Sequence, residues 1–249
     1  MMSARSVRLV EVAGFDVRPS AAVIGLPDVG LVGSISTSYL ATHLKAKEIG
    51  YFDSDLLPAL MVLHEGVPKE ATRVYASEEA YILVAETPLP PALTASVIKS
   101  MMGWLSVRGV REVYSLGGIV ANNRFEIDKP ESFIVTSNQA KRESIKAAGL
   151  NAMDEGVIVG PFALVMRESI KLGITSTVIL SQAFPDIPDP EAASSALEAL
   201  SKVGGPRVDV EALKQMGNEI KLRTKELAQK AKAYSEESEK TYDLPLMYG

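Results

Sequence analysis

The chain of 249 residues predicts an α/β fold, a three-layer sandwich with a mostly parallel sheet, followed by a C-terminal helical extension and a flexible tail. Three observations lead there. Apolar residues make up 47% of the chain and are chiefly Val, Ile, Leu and Ala, with aromatics at only 6%, a composition suited to parallel strands buried between helices. Short β-branched runs alternate with stretches whose apolar period lengthens to three or four residues. This alternation stops at Gly204-Gly205-Pro206, and no strand-like run follows.

Taken in order, strands are expected near residues 7–12, 21–25, 59–63, 73–76, 81–85, 112–116, 133–136, 157–159 and 176–180. Helices are expected over about 30–46, 92–107, 139–147, 162–172 and 190–202. Alternation of this kind builds a parallel sheet covered on both faces. From Val208 to about Lys240 the chain reads as one long helix, with Leu213, Met216, Ile220, Leu227 and Tyr234 on one narrow stripe and Lys, Glu and Gln elsewhere. Gly217 inside it costs about 1 kcal/mol against Ala, and the stripe lacks members, so docking on the core or at an oligomer interface is favoured over a long coiled coil. The expected division is an α/β core at 1–203, a helical extension at 204–240 and a tail at 241–249.

Composition excludes several classes of function. A net charge of −5 with scattered Lys and Arg offers no basic stripe to a phosphate backbone, so no nucleic-acid partner is expected. The absence of Cys rules out disulfides and thiolate metal sites. The first residues, MMSARSVRLV, lack the apolar stretch of a secretory signal, and no apolar run approaches the roughly 18 residues of a membrane span. A soluble cytoplasmic protein without a membrane partner is expected.

GLPDVGLVG, residues 25–33, falls where a strand should turn into a helix. Gly25 and Gly30 have the spacing of a phosphate-cradling loop, but Leu31 and Val32 stand where Lys and Ser or Thr would be needed, and Asp28 would repel an anion. The simpler reading is a tight turn in which Gly25, Gly30 and Gly33 admit close backbone approach and Asp28 caps the following helix. Room for a small ligand at that helix N-terminus stays open. The pair Gly117 and Gly118, together with GVIVGPFALVM at 156–166, reads as further strand ends, so a crevice including Gly25, Asp28, Gly30, Gly33, Gly117 and Gly118 is a reasonable ligand site.

The rest of the catalytic inventory is short. His43 and His64 share no ligand spacing, so no metal site is expected. Ser96 and Lys99 match S-x-x-K without the partner motifs of that chemistry. Asp189 before Pro190 reads as a helix cap with proline at the first helical position. No nucleophile paired with a base emerges, no cofactor is implied, and a non-enzymatic binding protein is expected. The competing reading is a nucleotide- or nucleoside-binding enzyme using the glycine-rich crevice.

The last residues, DLPLMYG, follow an acidic, polar run that can bury nothing. Met247, Tyr248 and Gly249 place a flat aromatic anchor beside a free carboxylate, a pattern suited to capture by a cation and a neighbouring slot on a partner.

GLPDVGLVGSISTSYLATHL at 25–44, LGG at 116–118, GVIVGP at 156–161 and FPDIPDPEAA at 184–193 together resemble the archaeal proteasome assembly chaperone family, over nearly all of residues 7–202. The resemblance implies a three-layer α/β core, a homo-oligomer, with a tetramer favoured, and a C-terminal helix leading to a tail. The resemblance further implies that such a tail docks in the pockets between α subunits of the proteasome core particle, where in that family the penultimate Tyr and terminal carboxylate bind the ring and can favour opening of its gate. Met247, Tyr248 and Gly249 alone match the docking motif, with Met a mild departure from a smaller aliphatic residue. Some relatives have been labelled ATP-dependent ligases, a role that no residue pattern here supports.

Overall fold

The computed structural model describes residues 7–218. In chain order these form β1 (Arg8–Glu11), β2 (Ala21–Gly25), a 3-10 turn (Val29–Leu31), α1 (Val32–His43), β3 (Lys47–Asp53), β4 (Val62–His64), β5 (Val67–Lys69), β6 (Thr72–Ala76) and β7 (Tyr81–Ala85). They continue as α2 (Pro91–Val107), β8 (Glu112–Val120), a 3-10 turn (Arg124–Glu126), β9 (Ser132–Thr136), α3 (Gln139–Ala147), β10 (Asn151–Ala152), α4 (Gly160–Lys171), β11 (Thr175–Ala183) and α5 (Pro190–Lys202). A further helix, α6, starts at Glu211 and reaches the last described residue, Asn218.

Among the described residues, nine strands make one sheet in the order β1-β3-β6-β7-β2-β8-β11-β9-β10. The centre, β7-β2-β8-β11, is parallel throughout, and antiparallel pairings extend it on both sides. This is the expected three-layer α/β architecture, with its continuous parallel part in the centre and one further parallel pair, β9 with the two-residue β10, at the end of the sheet. Alternation along each strand assigns the layers. Val23, Ile82, Val84, Leu116 and Ile179 pack toward α1 and α5, whereas Ala22, Ile24, Leu83 and Val113 pack toward α2 and α4. Each of these Val, Ile and Leu side chains contributes about 1.5–3 kcal/mol by leaving water. Val210 and Leu213 are buried in the first of these clusters, so α6 starts on the core, while Met216 on the same stripe is exposed. The remaining stripe positions, Ile220, Leu227 and Tyr234, lie outside the described residues.

Strands at 21–25 and 81–85 and helices at 139–147 and 190–202 coincide with the expected ranges. The two-residue β10 was not expected, and three longer segments differ. β3 was hidden in KEIGYFD, whose charged start and internal glycine mask the alternation. Gly50 is needed there because a Cβ would come within 2.5 Å of the Val10 carbonyl oxygen on β1. The expected core strand at 59–63 is instead β4, half of a separate hairpin with β5 in which Leu63 is 68% exposed. Its turn uses Glu65 (φ 51) and Gly66 (φ 81), both in the left-handed region favoured for two-residue hairpin turns. The apolar run at 157–159 is no strand at all but an exposed approach to α4.

Candidate functional site

The carboxyl ends of β2, β8 and β11 meet the N-termini of α1, α4 and α5 on one edge of the sheet. After Gly25 the chain turns through Pro27 and Asp28, and Gly30 adopts φ +64, which allows it to press against Ala183 and Asp189. Gly33, in the first turn of α1, lies so close to β8 that a Cβ would stand 2.6 Å from the carbonyl oxygens of both Leu26 and Leu116. Gly25 packs on the Gly33 carbonyl and the Thr37 hydroxyl, Gly117 on Phe162 and Asp28, and Gly118 on the Val29 carbonyl. These glycines are therefore filled by the protein itself, and the space a phosphate would need beside them is occupied by backbone.

Asp28 bridges the junction. Its carboxylate accepts from the Gly33 backbone N–H at 3.1 Å and from that of Gly118, so one side chain ties α1 to β8. The expected N-cap is not formed as such: Leu31 stands at the start of α1, and Asp28, set back by the intervening 3-10 turn, instead accepts from the N–H of the second residue of α1. Burial pushes the Asp28 carboxyl up from 3.8 to about 7, the two backbone donors opposing that shift.

Outside this packed junction lies a groove of about 680 Å³. Asp28, Val29 and Gly118 belong to its floor, and Ile119, Val120, Leu180, Phe162 and the segment 153–160 form its walls. Val157 and Val159 are 87% and 72% exposed along its edge. The charged lining residues are Asp28, Asp154 and Glu155, all acidic. Lys146 and Arg142 pair with Asp154 and hold its carboxyl below the ordinary range. Neither a hydroxyl nucleophile nor a histidine lines the groove, and no cation is present to meet a phosphate.

Of the expected crevice residues, Asp28 and Gly118 face this groove, while Gly25, Gly30, Gly33 and Gly117 form the packed wall behind it. His43 is exposed and stacks on Tyr39, and His64 bonds to Glu86 in a cluster with Arg73 on the antiparallel side of the sheet. Asp189 caps α5 through the Ala192 N–H at 3.0 Å, with Pro190 at the first helical position, as expected. Met247, Tyr248 and Gly249 lie outside the described residues.

Sequence reasoning missed Arg124, which is only 1% exposed. Its guanidinium forks onto Asp189 at 2.7 and 3.1 Å, reaches Glu191 at 2.7 Å, donates to the Ile127 carbonyl and lies over the Phe184 ring. The Asp189 N–H in turn donates to the Gly30 carbonyl at 2.8 Å, so this ion cluster braces the back of the glycine junction. A single arginine in the turn sequence NNRFE carries no signal of that role.

Among the described residues, no group of three or more His, Cys, Asp or Glu is arranged to hold a metal ion, and no helix is long and apolar enough to cross a membrane. The fold is similar to that of Pyrococcus furiosus PbaA, described as an archaeal homologue of proteasome-assembly chaperone: TM-score 0.79, 28% identity, 95% of this chain and 98% of that one covered. It is also similar to P. furiosus PbaB, described as an archaeal proteasome activator, with a TM-score of 0.78, 22% identity and coverage of 92% and 99%. A Thermoplasma acidophilum protein of unknown function shares the fold at a TM-score of 0.74 and 21% identity, over 90% and 91% of the two chains. No curated protein sequence matches the chain. The PAC2 family model matches residues 22–228, and the chain belongs to the PAC2 family.

Proposed function

We propose that this chain is a proteasome-binding protein, an assembly chaperone or activator, that docks its C-terminal residues into pockets between α subunits of the core particle. The observation that carries this reading is the chain-wide match to P. furiosus PbaA at 28% identity. The sequence supplies the rest: Met247 and Tyr248 offer an anchor, and the Gly249 carboxylate offers a charge, after the acidic, polar run SEESEKTY. Self-association, as a tetramer, presents several tails to one ring. With one tail binding at about 100 μM and a tether holding the next at about 1 mM, each further engaged tail adds about tenfold.

The test compares the full chain with one ending at Leu246 in a pull-down with the core particle. Truncation is expected to abolish capture while leaving the melting temperature and oligomeric state unchanged. Capture of the shortened chain as efficient as that of the parent would overturn tail docking.

A further inference from the structure

The glycine junction leaves no place for a phosphate, yet the groove just outside it has the volume of a small-molecule site, about 680 Å³. Its walls are aliphatic and aromatic, from Phe162, Leu180, Val120 and Val159, so they favour an apolar body. Every charged residue of its lining is acidic, and of these Asp154 is already neutralised by Lys146 and Arg142. Glu155 is exposed at the surface, which leaves Asp28 as the one partly buried carboxylate of the lining. Each oxygen of Asp28 accepts a single backbone N–H, from Gly33 and from Gly118, and a carboxylate oxygen has lone-pair capacity for more.

We infer that this groove binds a small amphipathic organic cation, its apolar body against Phe162 and Leu180 and its ammonium group on Asp28. The assignment is independent of tail docking. A phosphate or carboxylate ligand is disfavoured by the same charges, and a neutral ligand would leave the floor carboxylate without a counter-charge in an apolar site.

A protonation signature distinguishes this from adsorption to an apolar surface. Burial sets the Asp28 carboxyl at about 7, so at pH 6 most of it carries a proton that a bound cation must displace. The groups packed against it from β8, α1 and α4 are Gly118, Gly33 and Phe162, none of which titrates, and the other ionisable groups of the groove are Asp154 and Glu155. Affinity for a cation is therefore expected to rise about tenfold between pH 6 and pH 8, with close to one proton released per cation bound at pH 6.

The experiment uses the full chain and three probes with one apolar body: cyclohexylmethylamine, cyclohexylmethanol and cyclohexanecarboxylate, titrated calorimetrically at pH 6 and 8 in buffers of different ionisation enthalpy. The amine is expected to bind at least tenfold tighter than the alcohol at pH 8, and the carboxylate more weakly than either. Asp28→Asn is expected to erase the preference for the amine while keeping alcohol binding. Should that variant not fold, the proton release of the parent protein carries the test alone. Equal affinity for the three probes, pH-independent amine binding, or no amine binding at millimolar concentration would each overturn the assignment. So would loss of self-association on Val157→Asp without any amine binding, which would make the groove an interface between copies.

Discussion

Two stretches on one edge of the sheet look alike in sequence and behave oppositely. GLPDVGLVG and GVIVGPFALVM each place glycines and β-branched residues where a strand should give way to a helix. In the first, Gly33 and its neighbours are packed against backbone, and Asp28 ties α1 to β8. In the second, Val157 and Val159 stand in solvent, a Cβ at Gly160 would meet nothing within 4 Å, and the chain only lines a groove. A glycine in such a turn therefore signals either close approach or freedom of the backbone. The difference lies in what is parallel to it: β2 is flanked on both sides by β7 and β8, whereas residues 157–159 have no strand partner.

The largest effect that could break this comparison is Gly33→Ala. The added methyl would meet two carbonyl oxygens at 2.6 Å, and neither the β8 backbone nor the turn at Leu26 can move without disturbing the sheet. A destabilisation of about 3 kcal/mol is expected, which for a chain of this size lowers the melting temperature by roughly 6–12 °C. Thermal unfolding within a degree or two of the parent would show that the junction is looser than its contacts imply.

The same contrast explains what the sequence could and could not reveal. The parallel centre was legible because buried strands such as AAVIG and YILVA are continuous apolar runs bounded by turn residues, and α5 because Asp189 and Pro190 mark its start. β3 was not, since its glycine serves a neighbour 40 residues earlier in the chain, Val10, that local pattern cannot see. Residues 157–159 failed for the opposite reason: composition promised burial that no tertiary partner supplies. At the site, a crevice beside Asp28 and Gly118 was expected and a groove is there, but which glycines face it was not legible, because its walls come from β8, α4, β11 and the segment before α4 while Gly25, Gly30 and Gly33 are packed against backbone. Arg124 was invisible for a similar reason, its partners lying 65 and 67 positions away.

An intermediate effect concerns Asp28 itself. Its folded-state carboxyl titrates near 7 against 3.8 for the free group, so the folded chain binds the extra proton. The sign follows: stability falls as pH rises from the unfolded value through the folded one, and the full penalty is reached above 7. Between pH 6 and pH 8 this group is expected to cost about 1 kcal/mol, read as the difference between the parent and Asp28→Asn across the two pH values, which cancels titration elsewhere. A parent-minus-variant difference that is flat with pH, or a carboxyl carbon resonance titrating near 4, would place Asp28 in contact with water and remove the distinction between a closed junction and an open groove.

The smallest effect lies on the open side. Val157 and Val159 have so little surface buried that replacing each with Ser removes almost no apolar contact, and surface changes of this kind shift stability by less than about 0.5 kcal/mol. The double variant Val157→Ser, Val159→Ser is therefore expected to melt within about 2 °C of the parent and to elute at the same position in size-exclusion chromatography. The comparison makes this outcome informative in a way that Gly33→Ala is not: a glycine that is packed announces itself through folding, whereas an exposed valine can matter only through something that covers it. A loss of several degrees together with a later elution would show that copies of the chain bury this edge against one another. The open stretch would then be closed after all, by a partner subunit rather than by its own sheet.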